Sequence, residues 1–225
     1  MKEIMPKIIH FIWVGNQPKP ELVLACIESW RQLLPDYEIM EWGNQDLEKI
    51  DNQYVTEAFE AKKWAFVSDY LRLYALYNYG GIYLDSDVRV TKSLDSFLDH
   101  DFFSGYENYK SVFFPITAVM GAKKKNSIIK NLLDEYDGLS FITADGSYNL
   151  ETNTSRISRY FDREFGLKPP YDGQNRTELA DNIVLYPSYY FCTPDQGELN
   201  YAIHLFNGSW VDGFSRKLKF VLGNY

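Results

Sequence analysis

Two aspartates stand directly after a short apolar run of the sequence. Residues 82–84 are Ile-Tyr-Leu, and Asp85 and Asp87 follow, separated by one serine. Acids two residues apart at the carboxyl end of a sheet strand can both reach one hard divalent cation, and this edge is where α/β folds bind ligands. Two carboxylates so close also repel each other unless a positive group stands between them. The pattern therefore favours a divalent cation at this position.

A second polar group interrupts the apolar segment 64–79. At about 100° per residue of a helix, Ser68, Asp69 and Arg72 fall within an arc of about 100°. One interpretation is an ion pair between Asp69 and Arg72, three positions apart, packed inside the fold. The other is a site for a charged ligand beside this helix. The residues alone leave both interpretations open.

The segments that would position these residues follow an α/β pattern. Runs rich in β-branched and aromatic residues predict strands, and apolar residues that recur every three or four positions predict helices. Strands are predicted over residues 7–14, 37–42 and 82–84, helices over 20–34 and 64–79, and short helices within 44–60. Gly80 and Gly81 are a suitable C-terminal cap for the helix that precedes the third strand. Strand, helix and strand in this order build a parallel sheet.

Composition and charge bound the class of protein. The chain has 225 residues, 45% of them hydrophobic and 24% charged, which is ordinary for one globular domain with a substantial core. Its 23 basic and 31 acidic residues give a net charge of −8, which repels nucleic acid and excludes it as an expected partner. Aromatic residues reach 17%, a proportion that suits stacking on sugars and bases as well as core packing.

Cysteine usage and hydropathy predict a cytoplasmic location. Cys26 and Cys192 are too few and too far apart for a disulfide framework or a zinc site. Residues 1–20 lack the apolar run of a signal peptide, and no apolar stretch of about 18 residues could span a bilayer. Residues 214–220 alternate basic and apolar side chains but are too short for an interfacial helix, so weak peripheral contact with the inner face of the membrane is the most they support.

Three uses of an Asp-x-Asp pair can be compared by spacing. A calcium-binding EF-hand loop would need an acid or Asn and then Gly where Arg89 and Val90 stand, so this use fails. A phosphatase of the haloacid dehalogenase type resembles a strand followed by Asp-x-Asp-x-Thr, and Arg89 again stands where the Thr belongs, which weakens that use. The third use is a metal ion that bridges the protein to a nucleoside diphosphate.

The motifs together resemble a known family of sugar transferases. Residues 65–72 and 79–87 resemble the sugar-binding region of glycosyltransferase family 32 and, more distantly, the large clostridial glucosylating toxins. Further signatures are found at residues 6–15, at Ser29-Trp30 and from His204 to Ser209-Trp210. The resemblance covers residues 5–95 well and 200–211 moderately, and residues 110–198 carry essentially no family signature.

The resemblance implies a fold and an activity. The fold would be one GT-A domain, a Rossmann-like, mixed and mainly parallel sheet flanked by helices. Residues 1–105 would hold the donor, and residues 106–225 would form the acceptor half with a C-terminal segment for metal and phosphate. The activity would be metal-dependent transfer, with retention, of a hexose from a UDP- or GDP-sugar to a hydroxyl of a saccharide or lipid-linked saccharide, in capsule, lipopolysaccharide or other glycan assembly.

The resemblance also implies roles for the donor-side residues. Trp13 matches the tryptophan that stacks on the donor base, although a core tryptophan on a buried strand is the plain alternative. Asp69 and Arg72, with Ser68 beside them, match the group that holds the donor sugar and diphosphate. Asp85 matches the acid that contacts the ribose or sugar and the metal shell. These acids and Arg72, together with Asp87, are the expected catalytic residues.

The metal and phosphate ligands are implied in the same way. Asp87 matches the most direct metal ligand, and His204 resembles the C-terminal metal ligand of many such enzymes, although a structural histidine among apolar neighbours is as common. Ser209 and Trp210 resemble a small pair near the β-phosphate. The ion would be Mn²⁺ or Mg²⁺, and the one imidazole favours Mn²⁺ slightly.

One departure from the family and two alternatives stay open. Many members carry a Thr-Gly-Pro element where this chain has Glu-Thr-Asn-Thr-Ser at 151–155, which puts the acceptor-side geometry in doubt. No general base is nominated, and Asp145, Glu151 and Asp195 stay unassigned. The alternatives are a haloacid-dehalogenase-like phosphatase that uses Asp85 covalently, and a non-catalytic nucleotide or carbohydrate binder.

Overall fold

The computed structural model describes residues 4–194 and 199–207. Asp195, Ser209, Trp210 and residues 214–220 lie outside the described residues, so the predictions on them stay predictions. The strands β1 to β9 are Ile8–Ile12, Glu38–Trp42, Gly81–Leu84, Val88–Val90, Phe102–Tyr109, Val112–Ala122, Thr177–Ala180, Ile183–Tyr186 and Ala202–His204. The helices α1 to α6 are Glu21–Leu33, Gln53–Glu60, Trp64–Tyr79, Ser127–Asp134, Asn153–Phe165 and Ser188–Phe191, with 3₁₀ turns at Asn44–Lys49 and Asp95–Phe97.

A seven-stranded mixed sheet forms the centre of the molecule, in the order β2-β1-β3-β6-β5-β8-β7. Strands β2, β1, β3, β5 and β8 run in one direction, and β6 and β7 run in the opposite direction. Strands from the beginning of the chain and from residues 177–186 thus share one sheet. Strands β4 and β9 pair separately in a small antiparallel sheet.

Each face of the large sheet is covered by its own apolar layer. Side chains of α2, α3, α4 and α5 pack on one face, and side chains of α1, β4 and α6 pack on the other. Strand β3 divides its residues between the two layers, since Tyr83 packs in the first while Ile82 and Leu84 pack in the second. This alternation is the period of two that a strand buried on both faces must have.

The structure confirms the predicted sheet class and most of the predicted elements. The helix over residues 64–79 has the predicted bounds, while the first strand and helix are shorter than predicted at their ends. Strand β1 stops at Ile12, and the next backbone amide, of Trp13, donates to the Trp42 carbonyl at 2.9 Å. In the described part of the chain, no helix combines the length and the apolar character needed to cross a bilayer.

The turn from α3 into β3 depends on two glycines. Gly80 and Gly81 have φ angles of 70° and 105°, which side chains of L-residues rarely adopt. A Cβ on Gly81 would also lie 2.6 Å from the carbonyl oxygen of Ile8 in the neighbouring strand β1. The short turn reverses the chain, so the first half of α3 lies beside the carboxyl end of β3. The glycines therefore set where the polar residues of α3 meet Asp85.

We predict that Gly81→Ala destabilises the protein more than Gly146→Ala does. Gly146 also has a positive φ, of 81°, but no atom lies within 4 Å of a Cβ added there, so this variant carries the backbone strain alone. That strain costs about 1–2 kcal/mol, and the close approach to Ile8 adds about 1–3 kcal/mol at position 81. Urea unfolding followed by tryptophan fluorescence measures both. Equal losses of stability in the two variants would show that the close approach of β1 and β3 adds no cost to a side chain at position 81.

Candidate active site

The predicted site residues that the structure describes lie at or near the carboxyl edge of the large sheet. Strands β1 and β3 are parallel neighbours, with His10 opposite Tyr83, so the chain leaves both strands at the same edge. Trp13 follows β1 and Asp85 follows β3. The carboxyl edge of the strands is where open α/β sheets form their ligand crevice.

Arg72 is the central cation of this edge. Its guanidinium Nη2 lies 3.2 Å from Asp69 Oδ1 and 3.3 Å from Asp85 Oδ1. The guanidinium also lies over the ring of Tyr83, 4.6 Å from its centroid, while Nε donates to the Ser68 carbonyl at 3.3 Å. Arg72 is only 5% exposed, so its charge depends on these partners rather than on water. The predicted ion pair exists, and it extends to the first aspartate of the motif.

Tyr83 is a site residue that the motif did not identify. Its hydroxyl donates to Asp85 Oδ1 at 2.6 Å and lies 3.3 Å from Ser68 Oγ. Burial, helped by the repulsion of Asp85, holds the pKa of Tyr83 well above its usual range against the opposing attraction of Arg72, so the hydroxyl stays a donor. Residues two apart on a strand point to the same face, so the position of Tyr83 two residues before Asp85 was the available signal.

Asp69 is held from a second direction by the start of α5. The backbone N–H of Asn153 donates to Asp69 Oδ2 at 3.1 Å. Burial raises the pKa of Asp69, and Arg72 and this N–H oppose the rise. Asn153 is the first residue of α5, after the N-cap Thr152, so the helix dipole also favours the carboxylate. The segment without family signature thus contributes a contact to the site, and no sequence spacing pointed to it.

Asp87 lies in the turn between β3 and β4, where it accepts hydrogen bonds from the C-terminal part of the described chain. The Val88 N–H donates to the Asp85 carbonyl at 2.9 Å, which closes a tight turn around the motif. Asp87 Oδ2 accepts from the Asn207 N–H at 2.8 Å, and the Asp87 carbonyl accepts from the Leu205 N–H at 3.1 Å. The acid is therefore buried but well supplied with donors.

His204 is brought to Asp87 by the small sheet. Strands β4 and β9 pair with His204 opposite Val88, and His204 Nε2 lies 3.5 Å from Asp87 Oδ1. On the other side of the ring, Nδ1 lies 3.4 Å from Glu107 Oε2. Burial lowers the pKa of His204, but its contacts with Asp87, Cys192 and Glu107 outweigh burial and hold the pKa well above its usual range. The pKa of Asp87 is lowered, since the contact with His204 and the N–H of Asn207 outweigh its burial.

Asp85, Asp87 and His204 fit a divalent cation. Each offers one ligand atom, and these atoms all lie within 4.8 Å of one another. In an octahedral shell with bonds of about 2.1 Å, adjacent donors are about 3.0 Å apart and opposite donors about 4.2 Å apart. The cluster therefore needs only a small contraction to share one ion. Two carboxylates and one imidazole are a donor set that suits Mn²⁺ and accommodates Mg²⁺.

The remaining histidines and Trp13 occupy different environments. His10 is fully buried, with Nε2 2.8 Å from the Gly80 carbonyl and Nδ1 accepting from Trp42, as expected of a structural residue. Nε2 of His100 lies 2.8 Å from the Tyr186 hydroxyl. Trp13 is partly exposed after β1, and its indole N–H donates to the Gln17 carbonyl at 2.7 Å. It is not a fully buried core tryptophan, and its role in base stacking stays a prediction.

Comparisons with known proteins match the part of the chain that carries most of these residues. Residues 20–104, which include Ser68, Asp69, Arg72, Asp85 and Asp87, match the family described as glycosyltransferase sugar-binding region containing DXD motif. The chain is 33% identical over 100 residues to inositol phosphoceramide mannosyltransferase 3 of Schizosaccharomyces pombe, which is 43% of this chain and 28% of that protein. It is 28% identical over 192 residues to an uncharacterised glycosyltransferase of Acanthamoeba polyphaga mimivirus, covering 82% of this chain and 74% of the viral protein.

A solved glycosyltransferase structure has a similar fold. The PaToxG glycosyltransferase superimposes with a TM-score of 0.50 at 19% identity, covering 70% of each chain. The fold is thus of the GT-A type predicted from the sequence, and the resemblance to glycosyltransferases with a DXD motif is confirmed for residues 20–104. The match spans less than a third of the length of the yeast relative.

We predict that the metal-free protein loses stability as the pH rises from 6.5 to 8. The pKa of His204 is higher in the folded than in the unfolded chain, so its stabilising contribution is complete below about pH 6.5 and is lost as the pH approaches the folded pKa. The imidazole of the unfolded chain loses its proton over this range while the folded one keeps it, and the free energy of unfolding falls by about 1.5 kcal/mol. Urea unfolding in the presence of a chelator should show this slope, and His204→Gln should lack it.

His100→Gln is the matched control for this slope. Burial lowers the pKa of His100, so above about pH 6.5 this residue can only raise stability slightly, as the unfolded chain loses its remaining proton, and it does not contribute to the fall. We expect the control to keep the wild-type slope. A slope retained in His204→Gln would mean that the imidazole does not hold its proton more tightly in the folded state.

Proposed function

We propose that this chain, whose residues 20–104 carry the DXD-containing sugar-binding region of glycosyltransferases, transfers a hexose from a nucleoside diphosphate sugar to a saccharide hydroxyl. One observation carries the proposal. Three groups that could hold a metal, Asp85, Asp87 and His204, converge beside the buried cation of Arg72 at the carboxyl edge of the sheet. A cation beside a metal site suits a substrate that is both phosphorylated and hydroxylated.

Arg72 supports the departure of the diphosphate. Breaking the bond between sugar and diphosphate builds negative charge on the leaving oxygens, and a preorganised cation lowers the energy of that charge as it forms. Arg72 is already fixed by Asp69, Asp85 and the Tyr83 ring, so it needs no reorganisation during the reaction. A divalent ion held by Asp85, Asp87 and His204 would supply further Lewis-acid stabilisation of the same charge.

The acids of the site supply acceptors for the donor sugar. Asp69 and Asp85 each use one oxygen on Arg72. A carboxylate has about four acceptor positions, so both retain capacity for sugar or ribose hydroxyls. Ser68, next to Tyr83, offers a hydroxyl on the same helix. These residues would orient the hexose so that its anomeric carbon lies beside the diphosphate.

Trp13 would bind the base of the donor. It follows β1 at the edge that carries Asp85, and part of its surface is exposed. Stacking of a base on an aromatic side chain contributes about 1–3 kcal/mol and tolerates different bases. This agrees with a UDP- or a GDP-sugar as donor. Ser209 and Trp210 would complete the phosphate site, as the family resemblance implies.

The finer assignments belong to the same proposal. Transfer would proceed with retention, and the leaving phosphate, rather than a side chain, would take the proton of the acceptor hydroxyl. Mannose is the first hexose to test, because the similar yeast protein is named as a mannosyltransferase. We infer a cytoplasmic enzyme of glycan assembly, of capsule or lipopolysaccharide type, with weak peripheral contact to the membrane. Residues 106–225 would form the acceptor half.

The geometry of Asp85 argues against a phosphatase with a covalent aspartate. Its Oδ1 already accepts a hydrogen bond from the Tyr83 hydroxyl and lies beside Arg72. An attacking carboxylate oxygen loses nucleophilicity when it is held in this way. Trapping of a phosphorylated Asp85 would nevertheless favour the phosphatase.

We predict that Asp87→Asn abolishes most of the Mn²⁺-dependent binding of nucleotide while the fold survives. The wild-type protein at about 100 times the dissociation constant of its nucleotide should gain about 2.7 kcal/mol of stability. A melting screen over UDP, GDP and their sugars, with and without Mn²⁺, measures the gain and identifies the donor class. Asp101→Asn is the control, because Asp101 is an acid that pairs with Lys123 on another part of the surface. Unchanged nucleotide affinity of Asp87→Asn in Mn²⁺ would contradict the assignment.

We predict that Arg72→Lys lowers the rate of nucleotide-sugar hydrolysis in Mn²⁺ by about 10²–10³, the usual effect of removing one stabilising group. A lysine keeps the charge but cannot contact Asp69 and Asp85 through one planar group. Arg89→Lys is the matched control, since Arg89 is exposed on β4. Hydrolysis is measured as release of nucleoside diphosphate. If the wild-type protein binds the nucleotide but never turns over its sugar, the protein is a binder and not a transferase.

A further inference from the structure

Glu107 contacts the candidate metal ligand His204 on the Nδ1 side of the ring, away from Asp87. Glu107 lies on β5, and its Oε2 is 3.4 Å from His204 Nδ1, while His204 Nε2 faces Asp87 Oδ1 at 3.5 Å. The two nitrogens of one ring thus point to two different carboxylates. Glu107 is not one of the three residues whose ligand atoms cluster. Its contact with the site is made through the imidazole.

The environment of Nδ1 indicates why a carboxylate stands there. Nδ1 is buried, and within residues 4–194 and 199–207 it makes no hydrogen bond of standard geometry. The Glu107 carboxylate lies at its edge, and the Cys192 thiol also contacts the imidazole. A buried N–H that lacks an acceptor destabilises the fold, so a nearby carboxylate is a favourable partner for this nitrogen. A small rotation of the ring or of Glu107 would turn the 3.4 Å contact into a hydrogen bond.

The backbone fixes the ring but does not choose which nitrogen carries the proton. Pairing with β4 sets the position of His204, and the Phe206 ring packs against the imidazole with centroids 4.0 Å apart. Neither contact distinguishes a proton on Nδ1 from one on Nε2. An acceptor at Nδ1 favours the proton on that nitrogen, which leaves the Nε2 lone pair for a metal.

We infer that Glu107 is a positioning residue that holds the proton of His204 on Nδ1, so that Nε2 is presented as a ligand beside Asp85 and Asp87. This inference rests on the proposed metal-dependent function. Metal-ligating histidines commonly donate their other N–H to a carboxylate, which fixes the ring and raises its basicity. The shifted register between β5 and β6 after Ser104 lies just before Glu107, and such irregularities often direct side chains toward sites.

Binding of Mn²⁺ to the full chain without sugar tests the inference directly. Isothermal titration calorimetry on Glu107→Ala, which lacks the acceptor, should give a dissociation constant about 10–100 times that of the wild type. Glu107→Gln keeps an acceptor oxygen but loses the charge, and it should weaken binding about threefold to tenfold. Glu178→Gln is the matched control, because it removes one exposed carboxylate on β7 that pairs with Arg176, and it should bind as the wild type does.

The Cys192 thiol is the competing partner of the imidazole and needs its own variant. Cys192→Ala should change the dissociation constant for Mn²⁺ by less than about twofold if Glu107 is the acceptor that matters. A larger loss in Cys192→Ala than in Glu107→Ala would overturn the inference. If Glu107→Ala does not fold, Glu107→Gln carries the test, and an unchanged dissociation constant in it overturns the inference as well.

The protonation of the ring gives a readout that a purely structural role would not change. The chain has 3 histidines, so ¹⁵N-histidine labelling yields few signals, and Mg²⁺ replaces Mn²⁺ to avoid paramagnetic broadening. With Mg²⁺ bound, His204 of the wild type should show a protonated Nδ1 and an unprotonated Nε2. Glu107→Ala should lose the hydrogen bond of this Nδ1–H, seen as an upfield shift and faster exchange of its ¹H signal, and an unchanged Nδ1–H signal in this variant would overturn the inference.

The two proposals fail in distinguishable ways. A wild-type protein that binds neither Mn²⁺ nor Mg²⁺ would contradict the metal-dependent function and, with it, the role of Glu107. A wild-type protein that binds Mn²⁺, loses it in Asp87→Asn and retains it in both Glu107 variants would leave the function standing and refute the positioning role alone.

Discussion

The buried guanidinium of Arg72 is the constraint from which the arrangement of the site follows. A charge with 5% exposure is tolerated only with compensating partners, and breaking a buried pair costs about 3–5 kcal/mol. Arg72 therefore fixes Asp69 on its own helix and Asp85 at the end of β3, while the Tyr83 ring covers its face. The acids are held in place before any ligand arrives, because the fold already needs them there.

Asp87 extends this constraint to the far end of the described chain. Its side chain and carbonyl accept the backbone N–H groups of Asn207 and Leu205, and the pairing of β4 with β9 brings His204 to the same acid. Residues more than a hundred positions apart in sequence thus share one cluster. An ion bound there would tie the C-terminal segment to the DXD turn, since its ligands would come from both.

The sequence predicted the parts of the site that depend on local pattern. Periodicity and spacing encode the helix of residues 64–79, its glycine turn and the two acids after a buried strand. The structure has these features where they were predicted. The contacts of Asn153 and Glu107 depend instead on how β5 to β8 and α5 pack on the sheet. Those segments carry no motif, and contacts between distant residues leave no periodic signal in one sequence. Tyr83 lies between these cases, because its spacing from Asp85 was visible but its hydrogen bond was not.

The charges around the site argue for a cation more strongly than the motif does. Asp69 and Asp85 contact the cation of Arg72, Asp87 and Glu107 contact one imidazole, and Arg156 adds a weaker attraction on Asp69. The imidazole keeps a proton because the neighbouring acceptors outweigh its burial, so in the metal-free protein that proton replaces part of the missing positive charge. A divalent ion would supply that charge at the acids themselves and would release the proton from the nitrogen that it ligates. Without that ion, the four acids outweigh Arg72 and one protonated imidazole, and the excess negative charge at this edge would repel the diphosphate of the proposed donor.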